Sequence, residues 1–327
     1  MRTRNFQALL PRLREVWRLS LPAILTQITT IAMQYIDSAM VGRLGANASA
    51  AIGLVASSTW LFNGVCYALS AGFSVQVAHR IGAGNARGAR SVEKNGLLAG
   101  LLVSGLLCLL GSLIHAHLPV WLKGDAEITG DAGRYFLSFS WMLPFTQLCS
   151  LTSSFLQCAG DMLTPSILNA VMCVLDVVFN ALLIPRLGVF GAGLGTMLAC
   201  AVVAVVMVIL CCFRNESLRF RSGERHPIDG AVLKTALRIG TPVALQEVAM
   251  CGAQVVSTAI IAPLGALAVA ANAFAVTAES ICYMPGYGIA NAAAALVGRS
   301  VGAGDMESAK RDGNICIALG AFLMTCT

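Results

Sequence analysis

Residues 19–94 overlay residues 239–314 at a constant offset of 220 and without a gap. Pro22 falls on Pro242, Gln34 on Gln254, and Leu44-Gly45-Ala46 on Leu264-Gly265-Ala266. Tyr67 meets Tyr287, and Gly82-Ala83-Gly84 meets Gly302-Ala303-Gly304. A duplication of this length constrains the architecture before any single residue does: the chain is built from two related halves. The first copy takes 220 residues, and 327 − 220 leaves 107 for the second. The repeat therefore predicts a whole of about 440 residues, twice its own period, and a second half that is incomplete here.

The solvent of these halves follows from composition. Hydrophobic residues make up 57% of the chain and charged residues 12%, and the mean hydropathy is +0.76. Water-soluble domains carry about 25% charged residues, so the chain belongs in lipid. Crossing the ~30 Å hydrocarbon core takes about 20 apolar residues. Nine spans are placed, at approximately 17–41, 50–79, 96–118, 135–157, 164–185, 191–213, 237–262, 268–298 and 313–327, the last of them cut short. Backbone groups in lipid must be satisfied within the segment, so these spans are helices and the fold class is an all-α polytopic bundle. One repeat holds six spans, an even number. Both copies then enter the membrane in the same sense, related by a pseudo-two-fold along its normal. The expected organisation is a six-helix lobe at 1–213, a cytoplasmic linker at 214–238, and an incomplete C-terminal lobe at 239–327.

Basic residues orient the bundle. Eighteen of the 22 Lys and Arg fall in the N-terminal segment and in segments 80–94, 214–238 and 299–311; only Arg43, Lys123, Arg134 and Arg186 lie in the alternate loops. The positive-inside rule puts the N-terminus and the basic loops in the cytoplasm, and the expected location is the cell inner (plasma) membrane. The net charge of +6 is thus a topology signal. Nucleic acid is not an expected partner, because these residues flank spans without aromatic interleaving. The twelve cysteines include no CxxC and most sit in spans, so they read as small packing residues, and no metal or cofactor is expected. Gly82-Ala83-Gly84-Asn85 and Gly302-Ala303-Gly304-Asp305 lack the GK[ST] of a phosphate cradle. Both read as helix-end caps followed by an amphipathic connector.

The acids carry the chemistry. Of sixteen, twelve lie in loops or near the start of the first span, whereas Asp37, Asp176, Glu247 and Glu279 lie within spans that hold no interior Lys or Arg. An ionised carboxylate at the bilayer centre costs about 2.5–3.5 kcal/mol on insertion scales, so such groups are functional candidates by default. At ~100° per residue, Asn169, Cys173, Asp176 and Asn180 of the fifth span fall within about 60° of one another on an otherwise apolar helix. Gln27, Thr30, Gln34, Asp37 and Ser38 share one face of the first span. The two stripes belong to one lobe, so Asp37 and Asp176 can approach across its interior. Two carboxylates enclosed together couple, and the pair can take up a proton or clamp Na⁺ with Asn180 and backbone oxygens. For Gln27, Gln34, Asn169, Ser38 and Cys173, interhelical hydrogen bonding is an equal alternative. Tyr283 and Asn272 flank Glu279 at helical spacing and are its candidate hydrogen-bond partners. The repeat pairs Gln27 with Glu247 and Gln34 with Gln254, but Asp37 with Ser257. The halves share a frame and differ in charge, which assigns the coupling ion to the first half and the substrate cavity largely to the second. Pro22 and Pro242 sit near the starts of equivalent helices, as first-turn residues or kinks. Pro285, followed by Gly286 and Gly288, reads as a true break; all three are candidate hinges.

The pattern resembles a known family. Leu21-Pro22, the run Tyr35-Ile36-Asp37-Ser38-Ala39-Met40-Val41-Gly42-Arg43-Leu44-Gly45, and Gly82–Asn85 with Ala86–Arg90 look like the multidrug and toxic compound extrusion (MATE) transporters. Gly191-Ala192-Gly193-Leu194-Gly195-Thr196 and the second-half runs Ala278-Glu279-Ser280, Met284-Pro285-Gly286 and Leu296-Val297-Gly298 are similar again. The resemblance implies twelve helices in two lobes when complete. It implies an antiporter, not an enzyme: H⁺- or Na⁺-coupled export of small organic, often cationic or amphipathic, compounds from a lipid bilayer, by a monomer. It also implies cation coupling at Asp37, with Asp176 and Asn180 as the accompanying fifth-helix positions, while Glu247 lies about one turn before the acidic position seen in part of the family. The remaining candidates, Gln27, Gln34, Asn169, Glu247, Gln254, Glu279 and Tyr283, are assigned to the substrate cavity. The runner-up is a flippase of the same broad superfamily moving a lipid-linked oligosaccharide; the absence of Arg and Lys from the spans argues against it. A membrane prenyltransferase would need Asp-rich Mg²⁺ motifs, and none is present.

Overall fold

The computed structural model describes residues 2–122, 124, 126–220, 228–261 and 266–326. Among the described residues ten α-helices follow in order: α1 (Arg2–Gly42), α2 (Ala46–Gly82), α3 (Ala86–Ile114), the single turn α4 (Leu118–Trp121), α5 (Ala126–Cys158), α6 (Leu163–Leu187), α7 (Val189–Ile209), α8 (Gly230–Ile261), α9 (Ala266–Gly302) and α10 (Met306–Cys326). As far as they are described, seven of the nine expected spans lie each on one long helix, while 96–118 extends beyond α3 to the start of α4 and 191–213 beyond the end of α7. Five helical segments among the described residues, in α1, α2, α3, α6 and α7, are long and apolar enough by length and composition alone to cross a membrane.

The boundaries differ in instructive ways. The expected connector before the third span is the first part of α3, and residues 115–117 separate α3 from α4. Residues 230–238, assigned by sequence to the linker, already belong to α8, while 221–227 of that linker lie outside the described residues. The chain leaves α7 through a π-helical turn, Leu210–Arg214, which Asn215 closes by accepting from the N–H groups of Ser217 (3.1 Å) and Leu218 (3.3 Å). Helix α9 continues through Pro285, where the sequence suggested a break. A proline inside a helix removes one hydrogen bond and permits a kink without ending the helix; Pro22 and Pro242 are accommodated in α1 and α8 in the same way.

The two Gly-Ala-Gly segments are helix ends, as their sequence suggests. Gly84 and Gly304 have φ of +69° and +78°, a left-handed conformation that favours glycine. In the first copy Asn85 N donates to Arg80 O at 2.9 Å; in the second Asp305 N donates to Ser300 O at 3.0 Å. The same two side chains then cap the next helix, Asn85 Oδ1 accepting from Gly88 N (2.7 Å) and Asp305 Oδ1 from Ser308 N (2.9 Å).

Helix pairing obeys the repeat. Helix α1 lies on α9 as α8 lies on α2, and α2 lies beside α3 as α9 lies beside α10. Exchanging the copies exchanges these pairs, which is the signature of a pseudo-two-fold between the halves. The first half continues further: α5 packs on α2, α3 and α7, and α6 packs on α1 and α7. Its largest apolar cluster joins Phe73, Val77, Leu151, Phe155, Leu156 and Met207. At the junction, small residues bring backbones together. A methyl on Gly82 would strike the Arg299 carbonyl, and one on Gly302 would strike the His79 carbonyl. Residues 79 and 299 are themselves repeat mates. Close approach of this kind is how helices associate where no hydrophobic effect drives them together.

Candidate functional site

Helices α1 and α6 run side by side in the same direction, and their polar stripes meet. Near one end Asn169 Nδ2 donates to Thr26 O (3.1 Å) and to Thr30 Oγ1 (2.9 Å). Further along both helices Asn180 Nδ2 donates to Asp37 Oδ1 at 2.8 Å. The hydroxyls of Thr26, Thr30 and Ser38 each return to the carbonyl four residues back, so they add no donor for their neighbours.

Asp176 sits one turn before Asn180 and both are fully buried. The Asp176 carboxyl adjoins that of Asp37. Both Asp176 oxygens and Asn180 Oδ1 lack a donor, while the Asp37 carboxyl stands within hydrogen-bonding reach of Asp176, so a proton held between the two acids would join them. Unsatisfied buried oxygens in this number call for an explanation, such as a bound ion or proton. Room for the arrangement comes from α7: a methyl on Gly195 would collide with Asn180 Oδ1, and one on Gly193 with Ser138 Oγ of α5. The glycine-rich start of α7 is therefore a wall fitted to the site.

The structure brings Asp37, Asp176, Asn180 and Asn169 together, with Cys173 close to both acids. Gln27 is half-buried and Gln34 exposed on α1. Glu247 of α8 belongs to a different place, the junction of the halves. Its Cβ would be 3.1 Å from a methyl on Gly64, and Tyr67 and Tyr287 both lie close enough to feel its charge. Those two tyrosines are repeat mates, so one acid faces a pseudo-symmetric aromatic pair. Tyr283 packs edge-on against Tyr287, with ring centroids 5.9 Å apart, and is near Glu279, which is exposed. Gln254 is exposed, and the Asn272 side chain lies outside the described residues.

Two residues escape a sequence reading. Tyr135 of α5 is close to both Asp37 and Asp176. It stands at the edge of its span and no periodicity singles it out. Glu93 falls in the expected connector, yet it is fully buried: its Oε1 accepts from Cys211 Sγ (3.2 Å) and Cys212 Sγ (3.5 Å), and its Oε2 has no partner. Both thiols come from the π-helical turn Leu210–Arg214 that follows α7. The cue available was the Cys-Cys pair at a span end.

A duplicated bundle of membrane-length helices, with a buried acid pair in one half and an acid between the halves, defines a polytopic membrane protein of transporter architecture. A MatE family profile matches residues 22–182 and 242–327, more than half of the chain, and the protein belongs to that family. The proteins it is similar to are described as multidrug resistance proteins and transporters. It is 30% identical over 326 residues to a probable multidrug resistance protein NorM of Pseudomonas aeruginosa, covering 96% of this chain and 66% of that protein. A NorM relative from Thermotoga maritima is 28% identical over 301 residues, 90% of this chain and 64% of the relative. The chain thus spans about two thirds of the length of these relatives. Two solved structures share the fold at 20% identity over 95% of the chain and 70% of theirs. One is a multidrug resistance MATE family transporter of the MOP superfamily in an outward-facing conformation (TM-score 0.89). The other is a MOP superfamily transporter from Pyrococcus furiosus (TM-score 0.90).

Proposed function

We propose that this chain belongs to a cation-coupled antiporter that exports small organic, often cationic, compounds across the inner membrane, its N-terminus in the cytoplasm. The observation that carries this reading is the set of oxygens without a donor on Asp176 and Asn180 beside Asp37. A proton or Na⁺ supplies what those oxygens lack, and Asn180 and the wall at Gly195 hold them in place. Because α1 carries Asp37 at this site and also lies on α9, loading the acids biases how the halves meet. Glu247 between Tyr67 and Tyr287 is suited to an organic cation, which a carboxylate attracts and an aromatic face stabilises. Ion and substrate then compete through the arrangement of the lobes, each preferring a different one, and that difference in affinity is the coupling. Pro22, Pro242 and Pro285 are the hinge candidates along the helices that would bend. The protein acts as a monomer in this scheme.

The test is drug/H⁺ and drug/Na⁺ exchange in proteoliposomes, with ²²Na⁺ binding measured on the same preparation. Asp37→Asn is expected to abolish coupled exchange and Na⁺ binding, while an organic cation still binds. For the unaltered protein Na⁺ binding should weaken as pH falls, since protons compete for the same oxygens. Coupled exchange retained by Asp37→Asn would remove the assignment.

A further inference from the structure

We propose that the turn between α5 and α6 is a latch that fastens the first half to α9 of the second, with Met162 as its plug and Arg299 as its clasp. Ala292, Ala295 and Arg299 lie at i, i+3 and i+7 and so share one face of α9. Met162, almost completely buried, packs on Ala292 and Ala295 with Leu19 beside it. The two alanines make a shallow seat that a flexible thioether fills well. One turn further along α9, Arg299 Nη1 would be 3.1 Å from a methyl on Gly160, whose φ of +93° makes the turn possible.

Arg299 meets this turn at the carboxyl end of α5. That end is closed by Asp161 N donating to Leu156 O and Gly160 N to Gln157 O, both at 2.9 Å. The last carbonyls of a helix carry a partial negative charge that a cation complements, and the Arg299 charge is felt as far in as Cys158. The clasp is unpaired in the repeat: the mate of Arg299 is His79, which is exposed. It also sits one turn from the Gly82–Gly302 crossing, where backbones touch without any side chain to hold them. The crossing lets the halves meet, and the latch decides how long they stay. For α2 and α9 to part, Met162 must leave its seat and Arg299 must leave the helix end. None of this depends on which ion loads Asp37, or on whether any does.

The experiment is double electron–electron resonance on the protein in lipid nanodiscs. Spin labels on p-acetylphenylalanine replace Arg87 and Glu307, exposed repeat mates in the first turns of α3 and α10, so the native cysteines are left alone. The latch predicts that Arg299→Gln raises the ratio of separated to closed distances roughly twofold to fivefold, the range a cation at a helix end supports. Met162→Ala should do at least as much. Arg299→Lys and Met162→Leu should stay close to the parent distribution, as should Arg80→Gln, which removes a neighbouring exposed charge. If Arg299→Gln and Met162→Ala are folded and monodisperse and both leave the distance distribution unchanged, the latch is refuted. Lower thermal stability alone would not rescue it. Should Arg299→Gln fail to fold, Met162→Ala against Met162→Leu decides the matter alone.

Discussion

The crossing of α2 and α9 obeys the repeat; the acid site between α1 and α6 breaks it. At the crossing Gly82 approaches the carbonyl of residue 299 and Gly302 that of residue 79, so each half does to the other what is done to it. At the acid site Asp37 finds Asn180 and Asp176, whereas its mate in the repeat is Ser257, exposed on α8. The difference separates two kinds of constraint. A backbone contact between halves needs a missing side chain on both, so a change in either is felt at once. A charge serves only one site, and its mate can drift to serine without disturbing the frame.

The largest expected effect tests the symmetry directly. Gly82→Ala and Gly302→Ala each force a methyl into a backbone carbonyl, which no rotamer can relieve. Each should destabilise the closed arrangement by about 3 kcal/mol, the upper part of the range for overpacking. The two effects should also be nearly equal, read as the fall in melting temperature followed by intrinsic fluorescence. A large loss at one glycine and none at the other would show that the crossing is less symmetric than its geometry.

A smaller effect is expected where the atom most closely approached by the methyl belongs to a side chain. Gly195→Ala would press on Asn180 Oδ1, and the amide can give way. The cost to stability should be about 1–2 kcal/mol. Loss of Na⁺ binding should be much more marked, since displaced Asn180 no longer donates to Asp37. Normal Na⁺ affinity in this variant would mean that Asn180 is a bystander, and the site would reduce to the two acids.

Much of this was legible before any coordinates. The spans follow from apolar length, because lipid tolerates no unsatisfied backbone, and the stripe from Asn169 to Asn180 follows from helical spacing alone. The offset of 220 anticipated the two-fold and the paired caps at Gly84 and Gly304. What stayed hidden depends on three dimensions. Tyr135 reaches the acids because α5 packs on α7, next to α6; its neighbours in sequence carry no hint. Glu93 looked like a solvated connector residue until a π-helical turn brought two thiols to it. Pro285 has the residue pattern of a break, but packing of α9 against α1, α2 and α10 keeps the helix whole. Local chemistry showed which residues were unusual, and packing determined which of them meet.

The smallest expected effect distinguishes a hydrogen bond that joins helices from one that serves the ion. Asn169 ties α6 to Thr26 and Thr30, about 16 Å along the helix from Asn180 at 1.5 Å per residue. Removing it with Asn169→Ala leaves Thr30 Oγ1 still bonded to Thr26 O, so no donor is stranded. The cost should be about 0.6–1.7 kcal/mol, the range measured for interhelical hydrogen bonds in membranes, with Na⁺ affinity unchanged within twofold. Should Asn169→Ala lower Na⁺ affinity as severely as Gly195→Ala, the stripe would have to act as one unit along α6. The contrast between a shared frame and a local charge would then fail inside the half where it is clearest.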